Sequence, residues 1–495
     1  MIPSLHEKCG VLGVFAPGED VARLTFFGLH SLQHRGQESA GIATADAKLP
    51  QSDVHRFARM GLVTQIFDEQ ALHNLGGGTH AIGHTRYSTT GGSHEVNMQP
   101  LVVTGPHGEL ALAHNGNVVN ADLLRADLED QGISFSTGTD SEVLAALIAN
   151  APGGSWGDRF HYAMRRANGA YSLTLLTHDA MFGVRDPLGI RPLCLGRLDG
   201  GRGWVLASET CALDTLGATL VRELEPGEVV RIDEAGPQWW SAGEGLNPDR
   251  ASALCLLEHI YFARPDSRLQ GELLYPVRMR MGAQLAREHP VDADIVIGIP
   301  DSATSAAVGY ARESGIPYTE GLVKNRYVGR TFIQPDQRLR ERGVALKFNP
   351  LPEMLEGRRV IVVDDTIVRG TTTPRVVAML RKGGASEVHM RITSPPITHP
   401  CFYGVDMASR GELIGAHLEV EEIREHIGSD SLGYLSLEGT VLATGQTEDR
   451  LCTACFSGQY PSEVPLQLDK LALEGEGSVD RHAIPLQPVP LRAVN

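Results

Sequence analysis

The stretch Val360-Ile361-Val362-Val363-Asp364-Asp365-Thr366-Ile367-Val368-Arg369-Gly370-Thr371-Thr372 decides how the C-terminal half of this chain is read. An apolar, β-branched run ends in two adjacent acids. A short loop rich in Thr and Gly follows, and then Val376, Val377, Met379 and Leu380 at helical spacing. The order predicts a strand, a loop and a helix N-terminus. Such a loop offers backbone N–H groups and hydroxyls to a phosphate, and the helix dipole favours its negative charge. The two acids suit ribose hydroxyls or a magnesium ion, which takes hard oxygen ligands.

Around this stretch the pattern repeats. Strand-like runs at 295–299, 360–363 and 388–392 alternate with helical stretches at 277–288, 303–314 and 373–382. Alternation of this kind predicts βαβ units and a parallel sheet. Residues 241–250, with Gly243, Gly245 and Pro248, read as a linker. Before it the character changes. Short apolar runs at 9–15, 41–45, 81–83, 110–113, 171–176, 181–184 and 204–207 are broken by Gly, Asn, Asp and His. They predict an antiparallel β-rich unit, with helices at 21–33 and 141–149. From about Val464 the chain is rich in Pro, Glu and Gly and reads as a frayed tail.

The chain has 495 residues, 42% hydrophobic and 21% charged, with a net charge of −16. Length alone predicts about three domains of ~150 residues. The acidic balance argues against a nucleic-acid surface. It also means that a polyanionic substrate must be held by local donors and metal. No apolar run reaches membrane-spanning length, and 1–8 lack the apolar segment of a signal peptide. Seven cysteines are an odd count in a long chain, so a secreted disulfide framework is not expected and a cytoplasmic protein is.

Cys9 opens the run Cys9-Gly10-Val11-Leu12-Gly13-Val14. If the eight preceding residues are removed, Cys9 carries a free α-amino group. That amine titrates near working pH and can act as general base for its own thiol. A buried strand cysteine is the plainer alternative. Four further strings favour the nucleophile. They are His34-Arg35-Gly36-Gln37-Glu38-Ser39-Ala40-Gly41, Gly83-His84-Thr85-Arg86-Tyr87-Ser88, His114-Asn115-Gly116-Asn117 and Thr139-Asp140-Ser141-Glu142. In that order they resemble the class II glutamine amidotransferase domain, over about 9–240. The resemblance implies an N-terminal-nucleophile hydrolase fold, an αββα sandwich. It implies that Cys9 attacks the glutamine carboxamide, that Asn115 and Gly116 stabilise the oxyanion, and that Arg86 and Asp140 bind the α-carboxylate and α-ammonium. The histidines His34, His84 and His114 read as structural neighbours, since the amine already supplies a base.

The opening stretch resembles the phosphoribosyl-pyrophosphate (PRPP) loop of type I phosphoribosyltransferases, an α/β fold. Ile297-Gly298-Ile299-Pro300-Asp301-Ser302 is a second strand-to-helix turn suited to pyrophosphate, with Ser302 as a magnesium or pyrophosphate contact. The basic run from Lys324 through Arg326 and Arg330 to Arg338, Arg340, Arg342 and Lys347 stands out in an acidic chain. Together the strings resemble the glutamine-dependent PRPP amidotransferase family. The resemblance implies a propeptide at 1–8, a glutaminase domain at 9–245, a phosphoribosyltransferase domain at 250–463 and a flexible tail at 464–495. It assigns PRPP to Asp364, Asp365, Thr366, Arg369, Gly370, Thr371, Thr372, Ser302, Lys324, Arg326 and Arg330, with Mg2+ on Ser302, Asp364 and Asp365. Tyr261, Tyr327 and Ile333 become candidates for an ammonia channel. It also implies a homotetramer inhibited by AMP and GMP, with no nucleic-acid or membrane partner.

Cys452-Thr453-Ala454-Cys455 is a CxxC, with Cys401 and Cys255 distant in sequence. The spacing alone does not separate zinc, iron–sulfur and a redox pair. One branch of the family carries both a propeptide and a [4Fe–4S] cluster, and the resemblance implies that cluster on Cys255, Cys401, Cys452 and Cys455. Cys194 and Cys211 read as buried and inert. Two other readings are weaker. A glutamine-dependent sugar aminotransferase shares the N-terminal half but not the PRPP loop, and a PRPP-sensing regulator needs neither Cys9 nor an oxyanion pair.

Overall fold

The computed structural model describes residues 9–49, 53–87, 94–246, 252–325, 348–407 and 409–464. The N-terminal part is built on two antiparallel sheets packed face to face. The first has seven strands in the order Ala218–Glu223, Cys194–Leu198, Trp204–Ala207, Gly10–Phe15, His80–Arg86, Ser39–Ala45, His55–Met60. The second has six, in the order Gly236–Ser241, Glu228–Asp233, Met181–Arg185, Gly169–Leu176, Gly108–Val118, Leu101–Gly105. Helices Val21–Ser31 and Thr210–Thr215 cover the first sheet, and Asp140–Ala149, Ala121–Asp130 and Trp156–Arg166 lie on the side of the second.

The strand Gly10–Phe15 shows why its sequence is apolar throughout. Successive side chains point to opposite faces of a sheet. Val11 and Phe15 enter the core between the sheets, with Ala43, Ile82, Ala111 and Met181. Leu12 and Val14 enter the core beneath the helices, with Val21, Ala22 and Leu29. Both faces are covered, so a strand with no polar alternation is what burial requires. The strand His55–Met60 has the opposite character. It lies at the edge of its sheet, carries His55, Arg56 and Arg59, and is largely exposed, so no apolar run announced it.

The C-terminal part is α/β. Four parallel strands run in the order Ile295–Gly298, Arg359–Asp364, Glu387–Ile392, Ser431–Tyr434. The expected alternation of strands and helices is present. The helix expected from 277 starts earlier, at Leu274, because Pro276 falls in its first turn, where a missing N–H costs nothing. The strands at 295–298 and 359–364 are neighbours in parallel register, with Gly298 opposite Val363. Their C-terminal ends therefore open side by side, the usual ligand position of a parallel sheet. The core of this part also takes in Val119, Ala170, Leu188 and Ile190 from the N-terminal part. No helix among the described residues is long and apolar enough to cross a membrane.

Candidate active site

Cys9 immediately precedes the strand Gly10–Phe15 and is buried. Its thiol donates to the Tyr87 carbonyl at 3.4 Å, and the Tyr87 N–H lies 3.5 Å from Sγ. Burial pushes the thiol up to about 11, opposed by the Tyr87 contact and the Arg86 guanidinium. A thiol so held is neutral and needs a base before it becomes a nucleophile.

The facing sheet supplies Asn115 and Gly116. A bond between His84 Nε2 and the His114 carbonyl, 3.0 Å long, ties the strand of Arg86 to the strand of Asn115. Asn115 is 1% exposed, yet neither its Nδ2 nor its Oδ1 has a hydrogen-bond partner among the described residues. Buried amides are almost always paired, so a side chain left open in this way has a use outside the fold. Gly116 has φ +153°, and a Cβ there would lie 1.9 Å from the Ala170 carbonyl oxygen. Only glycine fits.

Arg86 and Asp140 are both buried, with opposite charges, and both act on Cys9 through space. Thr139 caps the helix Asp140–Ala149 and fixes Asp140 at its first position. Asp140 accepts from the Val118 N–H at 2.9 Å, and Arg86 Nη1 lies 4.0 Å from Glu38 Oε2. Burial pulls His84 down to about 3 and lowers His114 as well, so both rings are neutral and structural.

The second centre is a pocket at the open ends of the parallel strands. Asp364, Asp365, Thr366, Arg369, Gly370, Thr371, Thr372 and Ser302 all line it, with Tyr261 and Phe348. Asp365 is buried, and desolvation raises its carboxyl against hydrogen bonds from Ser302 and Thr366. Thr372 Oγ1 is buried without a partner among the described residues. Lys324 is paired with Asp301 at 2.5 Å, and Arg369 with Glu412. Arg326 and Arg330 lie outside the described residues, as do Tyr327, Ile333 and Met1 to Lys8.

Two features carry no signal in the sequence. Arg278 is buried behind the second pocket, donates to the carbonyls of His259 and Ala263 at 2.9 and 2.6 Å, and its charge acts on Asp365. The segment from Phe402 to Asp406, part of the C-terminal half, lies against the strand that carries Asn115. Asn117 Nδ2 donates to the Phe402 carbonyl at 2.9 Å, and Tyr87 Oη reaches Asp406 Oδ2 at 3.5 Å. Gly404, with φ +93°, sits so close that a Cβ would be 2.7 Å from the Gly116 carbonyl oxygen.

The cluster expectation is corrected. Cys255 and Cys452 are register partners on two short parallel strands, and the Tyr403 N–H donates to Cys401 Sγ at 3.4 Å. Among the described residues no group of three or more His, Cys, Asp or Glu side chains is placed to hold a metal ion. Burial pushes the Cys452 thiol up to about 12 and raises Cys255, Cys401 and Cys455. Cys255, Cys452 and Cys455 lie in the C-terminal core, and assignment to an iron–sulfur branch falls with the cluster.

A buried cysteine, a buried open amide and a glycine, joined in one chain to a Ser- and Asp-lined pocket at the ends of parallel strands, define a glutamine amidotransferase fused to a phosphoribosyltransferase. The family pattern of the glutamine amidotransferase domain matches residues 84–215, and that of the phosphoribosyl transferase domain matches residues 272–393. An amidophosphoribosyltransferase from Synechocystis sp. is 54% identical over 95% of this chain and 94% of its own length. Among solved structures, the allosteric regulatory enzyme of purine biosynthesis superposes with TM-score 0.87 at 45% identity, covering 94% of this chain and 99% of that one. The glutamine PRPP amidotransferase from B. subtilis, complexed with ADP and GMP, gives 0.85 at 45% identity over 94% and 100%. The chain belongs to the amidophosphoribosyltransferase family. It is a glutamine-dependent enzyme of the first step of purine biosynthesis, with an N-terminal-nucleophile hydrolase-like domain followed by a phosphoribosyltransferase domain.

Proposed function

We propose the following division of labour. Cys9, made N-terminal by loss of residues 1–8, attacks the glutamine carboxamide carbon. Its α-amine takes the thiol proton and returns it to the departing ammonia. A C–S bond forms and a C–N bond breaks, and water then hydrolyses the thioester to glutamate. The Asn115 amide and the Gly116 N–H stabilise the oxyanion. Arg86 binds the α-carboxylate through its guanidinium fork, and Asp140 accepts from the α-ammonium. Ammonia passes internally to C1 of PRPP, and pyrophosphate leaves. The products are 5-phosphoribosylamine, glutamate and pyrophosphate. The observation that carries this reading is the Asn115 amide, buried and left open on both polar atoms among the described residues.

In the second pocket the loop from Thr366 to Thr372 and Ser302 hold phosphates and ribose, with Lys324, Arg326 and Arg330 as donors to pyrophosphate. Asp364 and Asp365 suit Mg2+: both are hard oxygen donors, and desolvation makes the buried Asp365 carboxylate costly even with the Arg278 charge acting on it. Two carboxylates are a normal protein share for this ion, substrate oxygens and water completing its shell. Bound there, Mg2+ would neutralise charge on the leaving pyrophosphate. Residues 9–245 and 250–463 act as the two domains, with 464–495 a tail. A homotetramer, inhibition by AMP and GMP, and a cytoplasmic location complete the reading. The ADP and GMP held by the B. subtilis relative support the regulation.

Cys9→Ala tests the reading. Glutamine-dependent formation of phosphoribosylamine is expected to vanish, while synthesis from added ammonia continues. Loss of both, or of neither, sinks the two-centre assignment.

A further inference from the structure

The groups assigned above to the carboxamide and the α-ammonium of glutamine stand on different elements. Asn115 and Gly116 lie on the strand Gly108–Val118, and Asp140 opens the helix Asp140–Ala149. The strand is paired on both sides, to Leu101–Gly105 and to Gly169–Leu176, with Asn115 opposite Ser172. The first turn of the helix has no such ladder and is tied to the strand through side chains. Gln99, 4% exposed and without a role in either centre, makes such a tie. Its Oε1 accepts from the His114 N–H at 2.8 Å, one residue before Asn115. Its Nε2 donates to Ser141 Oγ at 3.0 Å, one residue after Asp140.

The bonds close into a ring. Ser141 Oγ lies 3.0 Å from His114 Nδ1, and His114 Nε2 lies 3.4 Å from the Ala170 carbonyl oxygen. A carbonyl only accepts, so Nε2 carries the single proton of the neutral imidazole, and Nδ1 accepts from the Ser141 hydroxyl. The His114 N–H thus donates to Gln99, the Gln99 amide to Ser141, and the Ser141 hydroxyl back to His114. Turning the Gln99 amide over would set donor against donor at the His114 N–H. Gln99 spends both ends of its amide on the fold, whereas Asn115, one residue beyond His114, spends neither among the described residues. The backbone at Gln99 is braced too. Arg56, on the edge strand His55–Met60, donates to the carbonyls of Met98 and Pro100 at 2.6 and 2.5 Å. Gly41 comes so close that a Cβ there would lie 2.2 Å from the Gln99 carbonyl oxygen.

We propose that Gln99 is a positioning residue of the glutamine site: braced by Arg56, it sets the span between the Asp140 carboxylate and the Asn115–Gly116 donors, and so holds the α-ammonium contact in register with the carboxamide contact. Two observations favour this over a purely structural role. A fully satisfied buried network rigidifies what it joins, and this one joins the immediate neighbours of Asn115 and of Asp140. The direct bond between the two elements, from the Val118 N–H to Asp140 Oδ2 at 2.9 Å, fixes one carboxylate oxygen only. Gln99 holds Ser141, and with it the backbone from which that carboxylate hangs. A substrate gripped at both ends needs both contacts in one geometry, which supporting bonds of this kind supply. Because the ladder holds the strand, loss of Gln99 is felt at Asp140, in substrate binding, more than at the oxyanion donors.

The inference rests on the glutamine-site reading above, and the test separates their failures. Gln99→Met keeps the length of the side chain and removes both bonds. Ser141→Ala removes the helix end of the tie with little change of volume. Asp140→Asn is the reference, since it weakens the ammonium contact directly. Steady-state glutamine hydrolysis and synthesis from added ammonia are measured for each. In Gln99→Met and Ser141→Ala the KM for glutamine is expected to rise roughly tenfold, inside the ~100-fold that a misplacement of about 1 Å can cost, with kcat falling less. Ammonia-dependent synthesis should stay within about twofold of wild type, as for independent sites. Adding Gln99→Met to Asp140→Asn should raise KM little beyond that of Asp140→Asn alone, because both act on one contact. An unchanged KM in the folded variants overturns the positioning role. So does a parallel fall of the glutamine- and ammonia-dependent rates, or a double variant whose effects simply add. If Asp140→Asn itself leaves KM unchanged, the glutamine-site reading falls, and the inference with it. If Gln99→Met is not recovered folded, Ser141→Ala decides by the same criteria.

Discussion

The Asn117 side-chain amide donates to the Phe402 carbonyl across 2.9 Å, joining residues 285 positions apart. Asn117 stands two residues from Asn115 on the same strand, and Gly404 lies against the Gly116 carbonyl. The C-terminal half therefore helps to hold the strand of Asn115 and Gly116 in place. Asn117→Ala leaves the Phe402 carbonyl buried without its donor, at a cost of about 1–3 kcal/mol. We expect a lower Tm and a glutamine-dependent rate reduced more than the ammonia-dependent rate. Equal reduction of the two rates would show that the bond supports only the fold.

Asn115→Ala should separate catalysis from stability. Loss of one oxyanion donor typically lowers kcat by ~100–1,000-fold. The amide makes no hydrogen bond to the described residues, so its removal relieves a buried polar group. The glutaminase rate should fall by that factor while Tm holds or rises. A matching fall in Tm would mean that the side chain is part of the framework.

His84 carries a pH dependence of defined sign. Its ordinary value is 6.5, and burial lowers it to about 3 in the folded chain. The unfolded chain binds the proton first, so stability from the neutral ring is complete above about 6.5 and is lost as pH falls toward 3. His259, lowered to about 4 by burial, adds in the same direction. Asp186, raised to about 6 by burial, opposes them, since its proton is held more tightly in the folded state. His84→Gln should flatten the fall of Tm between pH 6.5 and 4 and leave the alkaline side unchanged. An unaltered acid limb in denaturation scans would reject the assignment.

Asp365→Asn should trade activity for stability. Desolvation raises this carboxyl, so the folded chain carries its charge at a cost that an amide does not. The variant is expected to lose PRPP-dependent turnover from either nitrogen source, with Tm equal to or above wild type. A marked fall in Tm would instead make Asp365 a structural partner of Ser302.

Some of the site could be read directly because its chemistry is contiguous. Asp364 to Thr372 occupy one strand end and one loop, so composition alone gave strand, phosphate loop and helix. Cys9, Asn115 and Asp140 lie far apart in sequence and came through resemblance, since register between two stacked sheets is not written in any local run. The Phe402–Asp406 segment depends on packing across hundreds of residues and the bond from Gln99 to Ser141 on packing across 42, and nothing in either string announces its partner. The CxxC misled for a related reason. The spacing of Cys452 and Cys455 is compatible with metal, redox and packing alike, and only the surroundings of the thiols separate them. The edge strand His55–Met60 was missed because its charged side chains remove the apolar signal.

Val119, Ala170, Leu188 and Ile190 are fully part of the C-terminal core although they belong to the N-terminal chain segment. Cutting the chain between the halves would expose this apolar seam on both fragments. Neither fragment would then be a miniature of its half of the enzyme: each would be a sticky torso, prone to self-association. Dissection of this protein is better attempted by silencing one centre at a time within the intact chain.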